Sequence, residues 1–247
     1  EEFIRRNIAG QKTKQAQSKL KYLNRLKRLP PPKGDERGPA ITVASSGRSF
    51  AHVLSMEGVA LGYGSRTVVE GVALDIYRGE KVAMVGRNGS GKSTVLKAMI
   101  GELDPLSGSI KLGSNVDVAY FDQDLSDLDP GETVIDSVWN LDPVAEAYTI
   151  RSFLARFGFT GEEVFKMVAS LSGGEKTKLS LARLLYRPAN FIILDEPTNH
   201  LDIDAREALE KALIEYDGSL LVVSHDRYFL SKVANRIAHV TNGFVNI

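Results

Sequence analysis

The stretch that decides the fold reads Lys81-Val-Ala-Met-Val-Gly86-Arg87-Asn88-Gly89-Ser90-Gly91-Lys92-Ser93-Thr94-Val-Leu-Lys-Ala-Met-Ile100. An apolar, strand-like run leads into a glycine-rich turn, and helix formers follow. The turn fits G-x-x-x-x-G-K-[ST] at every fixed position, in the strand-to-helix setting that the pattern requires. Glycines allow successive backbone N–H groups to point inward around phosphate oxygens. A helix opening at Lys92–Ser93 adds the positive end of its dipole. Lys92 brings a cation to the β- and γ-phosphates, and Ser93 offers a hydroxyl to Mg²⁺. The plainer reading is a turn with an exposed lysine, and the flanks argue against it.

Outward from this turn, apolar runs alternate with helical ones. Strands are expected over 53–56, 73–77, 81–85, 116–121, 191–194, 220–223 and 237–240. Helices are expected over 93–101, 132–139, 145–157, 174–186, 204–216 and 228–234. Runs such as FIIL and LLVV lack polar alternation, which suits strands covered on both faces. Strands and helices in turn predict an α/β fold on a parallel sheet. Phe191-Ile-Ile-Leu-Asp195-Glu196 ends one such strand in two carboxylates, at the edge where open α/β sheets bind ligands. Asp195 is the Mg²⁺-side carboxylate of this reading, and Glu196 stands free to polarise a water for attack on a γ-phosphate.

Composition removes other chemistries. The 247 residues contain no Cys, so disulfides, thiolate metal sites and a catalytic thiol are excluded. Four His occur and none lies in HExxH, which argues against a zinc hydrolase. No apolar run approaches the ~18–20 residues of a membrane span, and the first residues carry no signal-peptide core. The chain opens on Glu1 rather than Met and reads as a processed piece or a fragment. Lys+Arg and Asp+Glu both number 31. Yet residues 1–29 hold nine Lys and Arg against Glu1 and Glu2, a charge of +7, and the remainder carries −7. This Pro-free basic segment predicts a helix of about 43 Å, stopped by Pro30-Pro31-Pro32. Residues 33–48 read as a connector. The division expected is residues 1–49 as a linker and 50–247 as a nucleotide-binding domain.

Leu171-Ser172-Gly173-Gly174-Glu175 opens another helix, with Ser172 as N-cap and Glu175 at N3, a capping box. A cap is all that this spacing requires. A sharper reading turns its N–H groups and the Ser172 hydroxyl toward another molecule's phosphate. Beside the phosphate loop and Asp195-Glu196, this segment resembles the signature motif of ABC ATPases. The resemblance covers residues 50–247. It implies a P-loop NTPase of ABC type: a mostly parallel core sheet, an antiparallel β subdomain, a helical signature subdomain and, ahead of them, the basic linker helix. It further implies ATP and Mg²⁺. Tyr63 takes the place of the aromatic that stacks on adenine. Gln123 matches the Q-loop glutamine at Mg²⁺ and the attacking water. His225 corresponds to the switch histidine at the γ-phosphate, and Asp202 to the D-loop aspartate that links two nucleotide sites.

Asp195-Glu-Pro-Thr-Asn-His200-Leu-Asp202 and Val223-Ser-His-Asp-Arg-Tyr-Phe-Leu230 resemble the ABC-F subfamily in particular. Its members are soluble proteins with two ABC domains and no membrane domain. On that likeness the chain is the end of an interdomain linker plus a second ABC domain. The first ABC domain is absent, and the chain stops sooner after Thr241 than such proteins do. The implied function is an ATPase module acting in the cytoplasm on the ribosome, paired head to tail with another ABC domain. The isolated piece would be a monomer or homodimer, and the linker would meet ribosomal RNA and tRNA. Two alternatives stand beside it: the motor subunit of a membrane transporter, and a DNA-associated ABC-F ATPase.

Overall fold

Two sheets share a core in the computed structural model, which describes residues 51–121, 127–241 and 244–246. The basic segment, its connector and Gln123 lie outside the described residues. The first sheet is antiparallel. Strands β1 (His52–Tyr63) and β2 (Arg66–Tyr77) form a long hairpin, and β1 pairs on its other edge with β4 (Ser107–Leu112). Both hairpin strands run further toward the turn than the sequence predicts, and β4 was not foreseen. Bulges interrupt the pairing of β1 and break the period-two pattern that marks a strand. In β4 no residue of Ser-Gly-Ser-Ile-Lys-Leu is fully buried, so it has little apolar signal.

The second sheet carries the chemistry. Its order is β5 (Val118–Phe121), β6 (Phe191–Asp195), β7 (Ser219–Val223), β3 (Lys81–Gly86), β8 (Arg236–Thr241) and β9 (Phe244–Asn246). The first five strands are parallel, and β9 alone is antiparallel. Alternate residues of β6 face opposite cores. Ile192 and Leu194 join the apolar cluster formed with the helices, while Phe191 and Ile193 join that of the antiparallel sheet. Leu220 and Val222 against Leu221 and Val223 divide in the same way on β7. Burial on both faces accounts for the absence of polar alternation in these strands. At about 25 cal/mol per Å² of apolar surface, each such side chain contributes roughly 1.5–3 kcal/mol relative to exposure.

The helices are α1 (Lys92–Met99), α2 (Val134–Trp139), α3 (Ala147–Ala155), α4 (Gly173–Tyr186), α5 (Ile203–Glu215) and α6 (Arg227–Val233). Helix α1 packs with Val95, Leu96 and Met99 in the antiparallel-sheet cluster. Helices α2 to α6 supply the other cluster, so α4, α5 and α6 cover one face of the sheet that ends in Asp195 and Val223. Polar side chains lock the register. Asn190 Oδ1 accepts from the Asp117 amide at 2.8 Å, and its Nδ2 donates to the Asn115 carbonyl at 2.7 Å, fixing the start of β5 against β6.

Candidate nucleotide site

Gly86 closes β3 and Gly91 caps α1, so the glycine-rich loop bridges the sheet and the helix. Neither position has room for a side chain. A Cβ on Gly86 would stand 2.5 Å from the Val240 carbonyl, and one on Gly91 would stand 2.3 Å from Val69 Cγ2. Gly91 also has φ +101°, which disfavours any L side chain. No side chain caps α1, so its first N–H groups remain available to an anion. Lys92 lies back over the loop and donates to the carbonyls of Gly86 and Arg87, each at 3.0 Å. Ser90 Oγ is buried without a hydrogen-bond partner among the described residues. A groove of about 540 Å³ runs past Arg87, Asn88, Gly89 and Ser90, bordered by Val68 and Thr241. Thr94 is buried on α1 behind the loop.

Ser93 Oγ donates to Asp195 Oδ2 at 3.1 Å, so the loop and the end of β6 meet. A hydroxyl and a carboxylate are the hard oxygen donors that Mg²⁺ takes, so this pair fits the ion. Glu196 follows in a left-handed conformation, φ +49°, and is buried. Its Oε2 accepts from the His225 amide at 3.2 Å, and its Oε1 has no hydrogen-bond partner among the described residues, although His225 Nε2 stands 3.5 Å away. Burial raises the carboxyl above its ordinary value, and the amide and ring of His225 work against that rise. A non-glycine residue held at positive φ, with an orphaned buried oxygen, is strained in the way that residues at functional sites often are.

The loops after β6 and β7 are sewn together. The Glu196 amide donates to the Val223 carbonyl at 2.9 Å, and Thr198 Oγ1 and Ser224 Oγ lie 3.2 Å apart, both buried. The ring of His225 is left exposed at the mouth.

Ser172 caps α4, accepting from the Glu175 amide at 3.3 Å, while Glu175 Oε2 accepts from the Ser172 amide at 2.8 Å. The Ser172 hydroxyl donates to that same oxygen at 2.7 Å, so within this chain it is held by Glu175. These bonds hold the Glu175 carboxyl below its usual value. Leu171 is buried as an anchor, and Gly173 and Gly174 line a cavity of about 270 Å³ together with Glu196, Asn199 and His200. The signature end and Glu196 therefore border one space within a single copy. Asp202 caps α5, accepting from the Ala205 amide at 2.9 Å, and pairs with Lys178 of α4. Chiefly through its bond to Lys178, the Asp202 carboxyl is held below its ordinary value. Tyr63 lies exposed at the end of β1.

Comparison with known proteins follows the same lines. A family model described as "ABC transporter" matches residues 69–199, from β2 through Asn199, and a second with that description matches residues 1–42. The putative ATP-binding protein YdiF of Bacillus subtilis is 43% identical over 99% of the chain. This chain belongs to the ABC-F family of ABC ATPases. The probable ATP-binding protein YheS of Escherichia coli is 41% identical over 89% of the chain. The ATP-binding protein Uup of Haemophilus influenzae is 38% identical over 95% of it. The chain spans 38%, 34% and 37% of these relatives' lengths. A solved structure titled "Structure of ATP binding subunit of ABC transporter" superposes with a TM-score of 0.69 at 26% identity, covering 79% of this chain and 88% of that one. The P-loop fold of ABC type is therefore that of an ATP-binding module. No helix among the described residues is long and apolar enough to cross a membrane.

Sequence reasoning did not single out four residues that tie these loops and helix ends together: Lys178, Thr198, Arg206 and Asp226. Asp226 accepts from the amides of Tyr228 and Phe229 as the cap of α6. An Asp directly before a helical stretch is a readable cap signal, and Asp202 and Asp226 both carry it. The partners Lys178 and Arg206 sit 24 and 20 residues from the groups they hold, a relation that no local pattern encodes.

Proposed function

We propose that this chain binds and hydrolyses Mg-ATP as the second ABC domain of an ABC-F protein that works on the ribosome. The observation that carries the hydrolytic part is Glu196. It is buried, keeps one carboxylate oxygen free of hydrogen bonds among the described residues, lies beside His225 and follows the Asp195–Ser93 pair directly.

The roles follow from chemistry. Backbone N–H groups from Gly86 to Thr94 and the Lys92 ammonium hold the β- and γ-phosphates through charge-assisted bonds. Ser93 and Asp195, with Gln123, are the oxygen donors for Mg²⁺, which when bound neutralises phosphate charge. Glu196 orients the attacking water and accepts its proton, for which a raised carboxyl pKa makes it a better base. His225 presents its ring to the γ-phosphate. Tyr63 stacks on adenine. Leu171, Ser172, Gly173, Gly174 and Glu175 face the nucleotide of a second domain, and Asp202 joins the two sites. Donors on every side and exclusion of water suit a transition state whose charge is spread over the phosphoryl oxygens.

Residues 1–29 are the linker of this proposal, and their +7 charge supports binding to RNA phosphates. The test is sedimentation of the chain, as Glu196→Gln with Mg-ATP, with ribosomes over a salt series. A second protein carries Gln at Arg5, Arg6, Lys12, Lys14 and Lys19. We expect co-sedimentation whose log affinity falls with log salt. In the neutralised protein the slope should be shallower by about 0.7–0.9 for each phosphate that no longer meets a cation. Identical slopes, or no binding at any salt, would overturn the ribosomal part. Recovery in a membrane fraction instead would favour a transporter motor.

A further inference from the structure

We propose that Arg206, in the first turn of α5, is a positioning residue for His225. The proposal rests on the reading of this site as an ATP site, and deepens it by naming what holds its histidine in place. Arg206 Nη1 donates to Asp226 Oδ2 at 2.8 Å. The other oxygen of Asp226 accepts from the amides of Tyr228 and Phe229, both at 3.0 Å, and the Asp226 amide donates to Ser224 Oγ at 3.1 Å. His225 thus stands between two residues that are each tied down. Its own amide is tied to Glu196. Its ring is exposed and nears Glu196 Oε1 only at 3.5 Å, so the backbone on either side does most to set where the ring points. Of these ties, the Arg206–Asp226 pair connects the histidine loop to a different helix.

Two features argue that this pair serves more than stability. Arg206 follows Asp202 by four residues, the spacing at which an Asp and an Arg on one helix pair with each other. Here each reaches away from α5 instead: Asp202 to Lys178 on α4, Arg206 to Asp226 before α6. Arg206 also leaves its buried Nε without a hydrogen-bond partner among the described residues, a cost that a freely chosen surface pair avoids. A partly solvated pair such as this, its side chains 40% and 21% exposed, adds little to folding stability. A second pair, Lys232 with Glu210 at 2.7 Å, and the apolar packing of Leu209, Leu213, Phe229 and Val233 keep α6 on α5 without it. Removing Arg206 should therefore leave the fold and free the histidine loop.

The test compares affinity for Mg-ATP with affinity for Mg-ADP, since the proposed site places His225 at the γ-phosphate, which ADP lacks. Calorimetric titrations are made on the whole chain and on Arg206→Ala, Arg206→Lys, His225→Ala and the double variant Arg206→Ala/His225→Ala. We expect Arg206→Ala to lose on the order of three- to tenfold of the preference for ATP over ADP, with ADP affinity and melting temperature unchanged. Arg206→Lys should recover most of the loss. The double variant should be no worse than His225→Ala, because both changes act through one ring. A wild-type preference in Arg206→Ala, or losses that simply add in the double variant, would overturn the proposal while leaving the ATP site intact. Failure of the wild-type chain to bind Mg-ATP, or an unchanged preference in His225→Ala, would overturn the reading of the site itself, and this inference with it.

Discussion

The proposed hydrolysis turns on one residue, Glu196. Its carboxyl is buried, its backbone sits at positive φ, and desolvation raises the carboxyl above its ordinary value against the pull of His225. The consequence for stability has a definite sign. An acid raised in the folded state binds its proton more tightly there than in the unfolded chain, so the folded state gains most below the ordinary carboxylate range. That gain fades as pH climbs from that range through the raised value. Glu196→Gln has no proton to lose in this window. We therefore expect the melting temperature of Glu196→Gln minus that of the wild type to grow as pH rises through it, and then to level off. Scanning calorimetry of both proteins from acid to neutral pH measures this difference. Parallel profiles would mean that the carboxyl is not perturbed by its surroundings. At this scale the sequence was informative where chemistry is contiguous: Gly86–Thr94, Asp195-Glu196 and Leu171–Glu175 were each legible in one line of residues. It was uninformative for Lys178 and Arg206, whose partners only the fold brings near.

Helix ends decide how those residues are presented. Each of α4, α5 and α6 begins with a side-chain cap, Ser172, Asp202 and Asp226 in turn. Helix α1, which faces the expected phosphates, begins with Gly91 and has none. A cap would occupy N–H groups that an anion needs, so the uncapped end is the one proposed to hold this copy's own phosphates. We expect Ser172→Ala to lower unfolding free energy by about 1 kcal/mol in urea titrations, the ordinary worth of such a cap, without changing ATP affinity for the same copy. A loss of that copy's ATP binding would place Ser172 in its own nucleotide site instead. The elements themselves were legible to unequal degrees. Strands β6 and β7 announce themselves as unbroken apolar runs because both their faces are buried. The hairpin of β1 and β2 was seen only in part, since bulges disturb its alternation, and β4 passed unseen because its side chains are mostly solvated.

At the scale of the molecule, the parallel order of β6, β7, β3 and β8 gathers three loops at one sheet edge, and the antiparallel sheet closes over the phosphate loop through Val69. The proposed reaction takes its last component, a signature end, from a second ABC domain. Two copies of this chain could supply it to each other, so pairing should limit the rate in dilute solution. The direct measurement is hydrolysis of Mg-ATP as a function of protein concentration, for the wild-type chain and for Glu196→Gln at matched ATP occupancy. The account predicts a wild-type specific activity that rises with concentration, and a Glu196→Gln activity at least about a hundredfold lower throughout, as loss of a general base entails. A Glu196→Gln protein that binds ATP and hydrolyses it at the wild-type rate would contradict it.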